Sequence, residues 1–153
     1  MNLDVLQICR IDASLEAALA VFFETIQASG EAEFFHPHPF TAQEASRRAY
    51  YRGADLYYAL LQGEQIIGYG MLRGWDEGYT IPSLGIFMAR AARGRGLGEL
   101  LMHFLHAAAR ARGAEKIRLT VYTHNAAAVS LYQKLGYRFE DAESDQVIGY
   151  MDL

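Results

Sequence analysis

The chain has 153 residues, of which 52% are hydrophobic and 21% charged, with a formal net charge of −4 at pH 7. This balance excludes a disordered chain, predicts one domain over residues 1–153, and argues against general nucleic-acid binding. A lone cysteine, Cys9, excludes an internal disulfide, and no apolar run reaches the roughly 20 residues of a membrane helix.

In chain order, Leu3 to Arg10 alternates loosely and predicts a first strand, with Cys9 as a buried thiol among apolar neighbours. The residues ahead of it lack a basic region followed by an apolar stretch, so no signal peptide is expected and the location expected is cytoplasmic. Asp12 is placed to cap a helix whose apolar positions, Leu15, Ala18, Leu19, Phe22 and Ile26, recur at helical spacing up to Ser29-Gly30. A loop rich in aromatic residues and histidine, Phe34-Phe35-His36-Pro37-His38-Pro39-Phe40, follows. Thr41, with Glu44 three residues on, is a capping-box signature for a second helix running to about Arg52. Leu56–Leu61 and Ile66–Leu72 read as a hairpin joined by Gln62-Gly63-Glu64-Gln65, and Ser83–Met88 as the next strand.

A third helix carries Leu97, Leu100, Leu101, Phe104, Leu105 and Ala108 on its apolar face and stops at Gly113, with Glu99, His103 and His106 on its polar face. Ile117, Leu119 and Val121 alternate in a strand. Asn125 caps a short helix ending at Leu135-Gly136, and residues from Tyr137 to Leu153 supply a final strand pair. The predicted order is β-α-α-β-β-β-α-β-α-β-β, a mixed α/β sheet.

The most informative segment is Arg93-Gly94-Arg95-Gly96-Leu97-Gly98, at the junction between a strand and the third helix. Small glycines let backbone N–H groups crowd around an anion, and the new helix directs its positive dipole end at the same spot. The Walker pattern fails, because no Lys-Ser or Lys-Thr follows the last glycine. The dinucleotide fingerprint fails too: the spacing is G-x-G-x-G, and Glu115 precedes the following strand instead of ending it.

Arg93-x-x-Gly96-x-Gly98, followed by a helix, a strand and Asn125-x-x-Ala128-x-x-x-Tyr132-x-Lys134-x-Gly136-Tyr137, resembles the GNAT superfamily of acyl-CoA-dependent N-acetyltransferases. The motifs cover about residues 81–140. The resemblance implies a mostly antiparallel mixed sheet flanked by helices, with acetyl-CoA as cosubstrate and no metal. It implies a bulge in the strand before the loop, whose backbone N–H groups at Phe87 and Met88, with Ala89 next, meet the thioester carbonyl and the pantetheine arm. It implies that amides from Arg93 to Gly98 wrap the pyrophosphate, aided by the side chains of Arg93 and Arg95. Arg90 departs from the family, which often has proline there; it is either a further phosphate contact or a solvated charge. Asn125 matches the residue that bonds the pantetheine amides, and Tyr132 the general acid toward the leaving thiolate.

The mechanism so implied is direct acyl transfer to a primary amine of a small molecule; a protein N-terminus or lysine, or a non-catalytic acyl-CoA sensor, are the alternatives. An alkylamine of pKa near 10.4 is only about one part in a thousand neutral at pH 7, so its proton must be taken. Glu33, His36 and His38 in the first interhelical loop, Asp76 and Glu77 in the later turn, or a water chain are the candidates. His36-x-His38 and the Glu99, His103, His106 group lack the four ligands of a structural zinc site. A monomer or homodimer is expected, without a nucleic-acid or membrane partner.

Overall fold

The cap residues stand at the helix starts, because each supplies a side-chain acceptor where backbone donors would be unpaired. In a computed structural model that describes residues 5–34, 37–140 and 144–153, Asp12 accepts from Ser14 N at 2.9 Å and opens a 3₁₀ turn into helix α1 (Glu16–Ser29). Thr41 accepts from Glu44 N at 3.1 Å and opens α2 (Ala42–Ala49), and Asn125 accepts from Ala128 N at 3.3 Å and opens α4 (Ala126–Leu135). The reciprocal half of the capping box is not made: Glu44 turns to Arg47 and Arg48 instead. α2 also ends three residues before Arg52.

The strands are β1 (Leu6–Arg10), β2 (Leu56–Gln62), β3 (Gln65–Arg73), β4 (Ser83–Met88), β5 (Lys116–Tyr122), β6 (Arg138–Phe139) and β7 (Gln146–Asp152), with helix α3 (Leu97–Ala111) between β4 and β5. They form one sheet in the order β1-β2-β3-β4-β5-β7-β6, and every neighbouring pair is antiparallel except β4 with β5. The predicted order of elements is therefore the observed one. Leu3 and Asp4 of the predicted first strand lie outside the described residues.

Core residues divide between the two faces of the sheet. Leu19, Phe22, Phe23 and Ile26 of α1 pack with Tyr57, Tyr69, Met71 and Phe87 on one face. Leu101, Met102 and Leu105 of α3 pack with Leu60, Leu84, Ile117 and Leu119 on the other. β3 is buried almost throughout, and its glycines let α3 come close: a Cβ on Gly70 would stand 2.9 Å from Leu105 Cδ1. Cys9 is half-buried rather than buried; burial first, and then Asp12, push its thiol pKa up.

The buried stripe of α3 is rotated from the predicted one. Leu100 is 45% exposed, whereas Met102, His106 and Ala109 face the core. His106 had been expected on the solvated face; it is buried because its polarity has a partner, Tyr137 Oη at 2.8 Å from Nε2. Burial first, then His103 and Arg110, bring its pKa down to about 4. The folded protein therefore resists protonation that the unfolded chain accepts near pH 6.5, so the contribution of His106 is complete above pH 6.5 and is lost as pH falls toward 4. It amounts to about 3 kcal/mol. Urea unfolding at pH 7 and pH 4.5 should show His106→Gln losing clearly less stability on acidification than the parent, since glutamine can still bond Tyr137 but does not titrate.

Candidate active site

β4 and β5 share a single registered pair, Ser83 with Arg118, fastened by Arg118 N donating to Pro82 O at 3.0 Å. Beyond it the strands diverge, and the C-terminal half of β4 has no ladder on that side. The ladder of β4 with β3, from Gly68↔Met88 to Arg73↔Ser83, is regular. The bulge expected in β4 is absent; the irregular step lies between β2 and β3, at Leu60/Leu61. Divergence, not a bulge, frees the amides. Ala89 N donates to Ile67 O at 2.8 Å, so antiparallel alternation turns the amides of Gly85 and Phe87 toward β3 and, past the Ser83–Arg118 pair, those of Ile86 and Met88 toward the gap. The Phe87 amide, expected to face the thioester, thus belongs to the β3 ladder. Ile86, which sequence reading missed, joins Met88.

A cleft of about 810 Å³ opens along the gap, lined by Ile86, Phe87, Met88, Gly94, Gly98, Asn125, Leu131 and Tyr132 among others. At its end Gly94 and Gly96 both adopt φ 77°, a left-handed conformation that glycine takes at no steric cost and that turns successive amides inward. Among the described residues no hydrogen bond uses the N–H groups of residues 94–99, which include the first turn of α3. These donors and the α3 dipole suit a pyrophosphate. Arg95 is exposed and, with Gly96 and Leu97, does not line the cleft. The Arg93 guanidinium bonds Met88 O at 3.0 Å and the carboxylate of Glu31, which Arg90 also holds at 2.6 Å. Burial would raise the Glu31 pKa, but the two arginines outweigh it and hold the carboxyl below its usual range.

Tyr132 faces the cleft from α4, a helix without a fully buried residue. Burial pushes its hydroxyl up to about 12. Asn125 lines the same cleft while its Oδ1 caps α4.

A second cavity, of about 820 Å³, lies across the gap and is lined by Arg73, Glu77, Tyr79, Ser83, Arg118 and Tyr150 among others. Leu84, Gly85, Thr120, Val121 and Tyr122 line both, so the two cavities meet where β4 leaves β5.

A sequence profile of the acetyltransferase (GNAT) family matches residues 21–137. The chain belongs to this family. A mycothiol acetyltransferase of Corynebacterium glutamicum (strain R) is 32% identical over 118 residues, 73% of this chain and 39% of that protein. An uncharacterized N-acetyltransferase, YdgE, of Bacillus subtilis (strain 168) is 47% identical over 57 residues, 37% of this chain and 35% of that protein. The chain thus spans well under half the length of both relatives. The fold is shared with the GNAT domain of S. lividans PAT, at TM-score 0.80 and 17% identity over 97% of this chain and 90% of that one. It is also shared with a PaiA N-acetyltransferase from Thermoplasma acidophilum in complex with coenzyme A, at TM-score 0.73 and 16% identity, over 97% and 99%.

Of the described candidate bases in this GNAT protein, only Glu77 lines the second cavity. His38 is a packing residue: its ring lies 5.2 Å from those of Phe23 and Phe40, and its two nitrogens meet Pro39 O and Tyr69 Oη, each at 2.7 Å. Burial lowers its pKa. Glu33 is exposed and lines neither cavity, and His36 lies outside the described residues. Asp76 receives Tyr51 Oη and, at 2.7 Å, Ala54 N, which hold its pKa down. Glu99 pairs with His103 at 3.6 Å and with Lys134 at 3.4 Å, while His106 points inward, so the three do not converge.

Sequence reading also missed Asp55, whose only local signal is an acidic residue just before a strand. Buried at 6% exposure, its Oδ1 accepts from Gly74 N, Trp75 N and Asp76 N at 3.0, 2.9 and 3.3 Å. It therefore shapes the turn that brings Glu77 and Tyr79 to the second cavity. Asp55→Ala strands these part-buried donors and should cost about 1–3 kcal/mol in chemical unfolding, with Asp55→Asn costing less because one acceptor oxygen survives.

Proposed function

We propose that the chain transfers an acetyl group from acetyl-CoA directly to a primary amine of a small molecule, as a single domain over residues 1–153. The observation that carries this reading is the meeting of two cavities at the β4–β5 divergence, one ending in a nest of unpaired amides and the other bounded by a shaped turn. The residues fit coenzyme A: the unpaired amides of Gly94 and Gly98 and the start of α3, at the end of the cleft, for the pyrophosphate, and Asn125 along the pantetheine arm. Bound there, acetyl-CoA supplies the acetyl group as a thioester.

The amides of Met88 and Ile86 face the gap and are donors for the carbonyl oxygen on which negative charge develops; being fixed by the β3 ladder, they need no reorganisation. Tyr132 donates a hydrogen bond at the sulfur. With its pKa at about 12, complete proton transfer to a thiolate of ordinary pKa near 8.5 is uphill by about 5 kcal/mol, so hydrogen bonding to the departing sulfur is its main contribution. Glu77, directly or through water, takes the proton from the acceptor amine.

Tyr132→Phe should lower kcat by about 10²–10³, the usual loss for one hydrogen-bond donor to developing charge, while leaving acetyl-CoA affinity within a few-fold, measured by thiol release and by equilibrium titration. A high-pH loss of activity below about pH 10 should not arise from Tyr132. Glu77→Gln should reduce kcat/KM at pH 7 by about 10²-fold, and the deficit should shrink as pH approaches the amine pKa near 10.4, where the acceptor deprotonates unaided. Thiol release from acetyl-CoA across polyamines, amino acids, amino sugars and short peptides tests the reading itself. Acceptor-dependent release is expected, and silence with acetyl-CoA still bound would overturn it.

A further inference from the structure

The cavity on the acceptor side has a charge opposite to that of the chain as a whole. Arg73 of β3 is registered with Ser83 of β4, Ser83 with Arg118 of β5, and Arg118 with Tyr150 of β7. Registered partners project from the same face of a sheet, so these four side chains form one row across four strands, and all four line the cavity. At about 4.8 Å per strand, the two arginines are rooted about 10 Å apart with a serine between them. This face is the one packed by α1 and α2 over β2 and β3, whereas Ile117, Leu119 and Val121 of β5 point to the opposite core.

Neither arginine has an acidic partner among the described residues. Arg73 donates to Pro37 O, a neutral carbonyl, and Arg118 Nε is buried without any hydrogen bond. Glu77, exposed, is the single carboxylate among the described lining residues. A buried guanidinium donor without an acceptor is costly, and its planar fork matches an oxyanion better than any other small ligand. A simple alkylammonium or a polyamine would bring further positive charge toward two cations.

We propose that the acceptor is an amine that also carries an anionic oxygen group, a carboxylate or a phosphate, held between Arg73 and Arg118 with Ser83 and Tyr150 alongside. This names the substrate class of the acetyl-transfer reading and rests on it. The two guanidiniums also favour the neutral form of a nearby amine, which is the nucleophile.

The test uses the full chain, saturated with coenzyme A for calorimetric binding or supplied with acetyl-CoA for thiol release. Matched pairs are compared: leucine with isoamylamine, phenylalanine with phenethylamine, and O-phosphoethanolamine with ethanolamine; spermidine is added as a polycation. The anion-bearing member of at least one pair should bind about 10- to 100-fold more tightly, and the pair concerned separates carboxylate from phosphate. Arg118→Gln should abolish that advantage through KM with little change in kcat, and Arg118→Lys should restore part of it. If Arg73→Gln fails to fold, the ligand pairs and the Arg118 series still decide. An advantage below about tenfold in every pair, preference for spermidine, or an advantage that survives Arg118→Gln overturns the inference. Tight anionic binding without thiol release would leave the anion site between Arg73 and Arg118 standing but remove the acetyl-transfer reading, and with it the assignment of the bound amine as acceptor. Thiol release led by anion-free amines would do the reverse.

Discussion

The divergence of β4 from β5 is the constraint on which the rest of the molecule depends. Parallel strands joined through a helix can pair along their whole length, but β4 and β5, joined through α3, hold each other at one end only. The single registered pair at Ser83 and Arg118 holds the base of the V, and regular pairing with β3 keeps β4 straight while its other edge stays open. Unpaired amides inside a protein are normally a liability. Here they line a cleft where a polar ligand can satisfy them, which turns an unfinished sheet into a site.

Two features translate that opening into chemistry. The loop before α3 gathers donors at one end of the cleft, because Gly94 and Gly96 accept a backbone conformation that side chains resist. Glu31, just past α1, is held by Arg90 and Arg93 and so ties the segment following α1 to that loop. On the opposite side, Asp55 gathers three amides of the turn after β3 and fixes one wall of the second cavity. Each wall is braced by a carboxylate, Glu31 between two arginine side chains and Asp55 among three backbone amides, and such charge-assisted hydrogen bonds are stronger than neutral ones.

Much of this was legible in the residues. Cap signatures at Asp12, Thr41 and Asn125, alternation in Ile117, Leu119 and Val121, and the glycine run are local patterns governed by local physics, and each element they announced is present. The positions that misled were those decided by partners distant in sequence. His106 looks like one more polar residue on a helix face until Tyr137, 31 residues later, is beside it. His38, in a loop rich in aromatics and histidine, reads as a base until Phe23, Phe40 and Tyr69 enclose it. Asp55 carries no motif at all, since its three partners are backbone amides about twenty residues away.

By itself the sequence determined the order and type of the elements, the glycine-rich loop before α3 and the family, because these rest on spacing and on conformational preferences that each residue carries with it. Only the tertiary structure decided which amides of β4 face the gap, that Arg93 is held by Glu31, and that Arg73, Ser83, Arg118 and Tyr150 share one row. Strand register and divergence arise from packing across the whole sheet, and a shift of one residue would exchange every inward side chain for an outward one. Chemistry at this site is therefore a property of register, which no single segment contains.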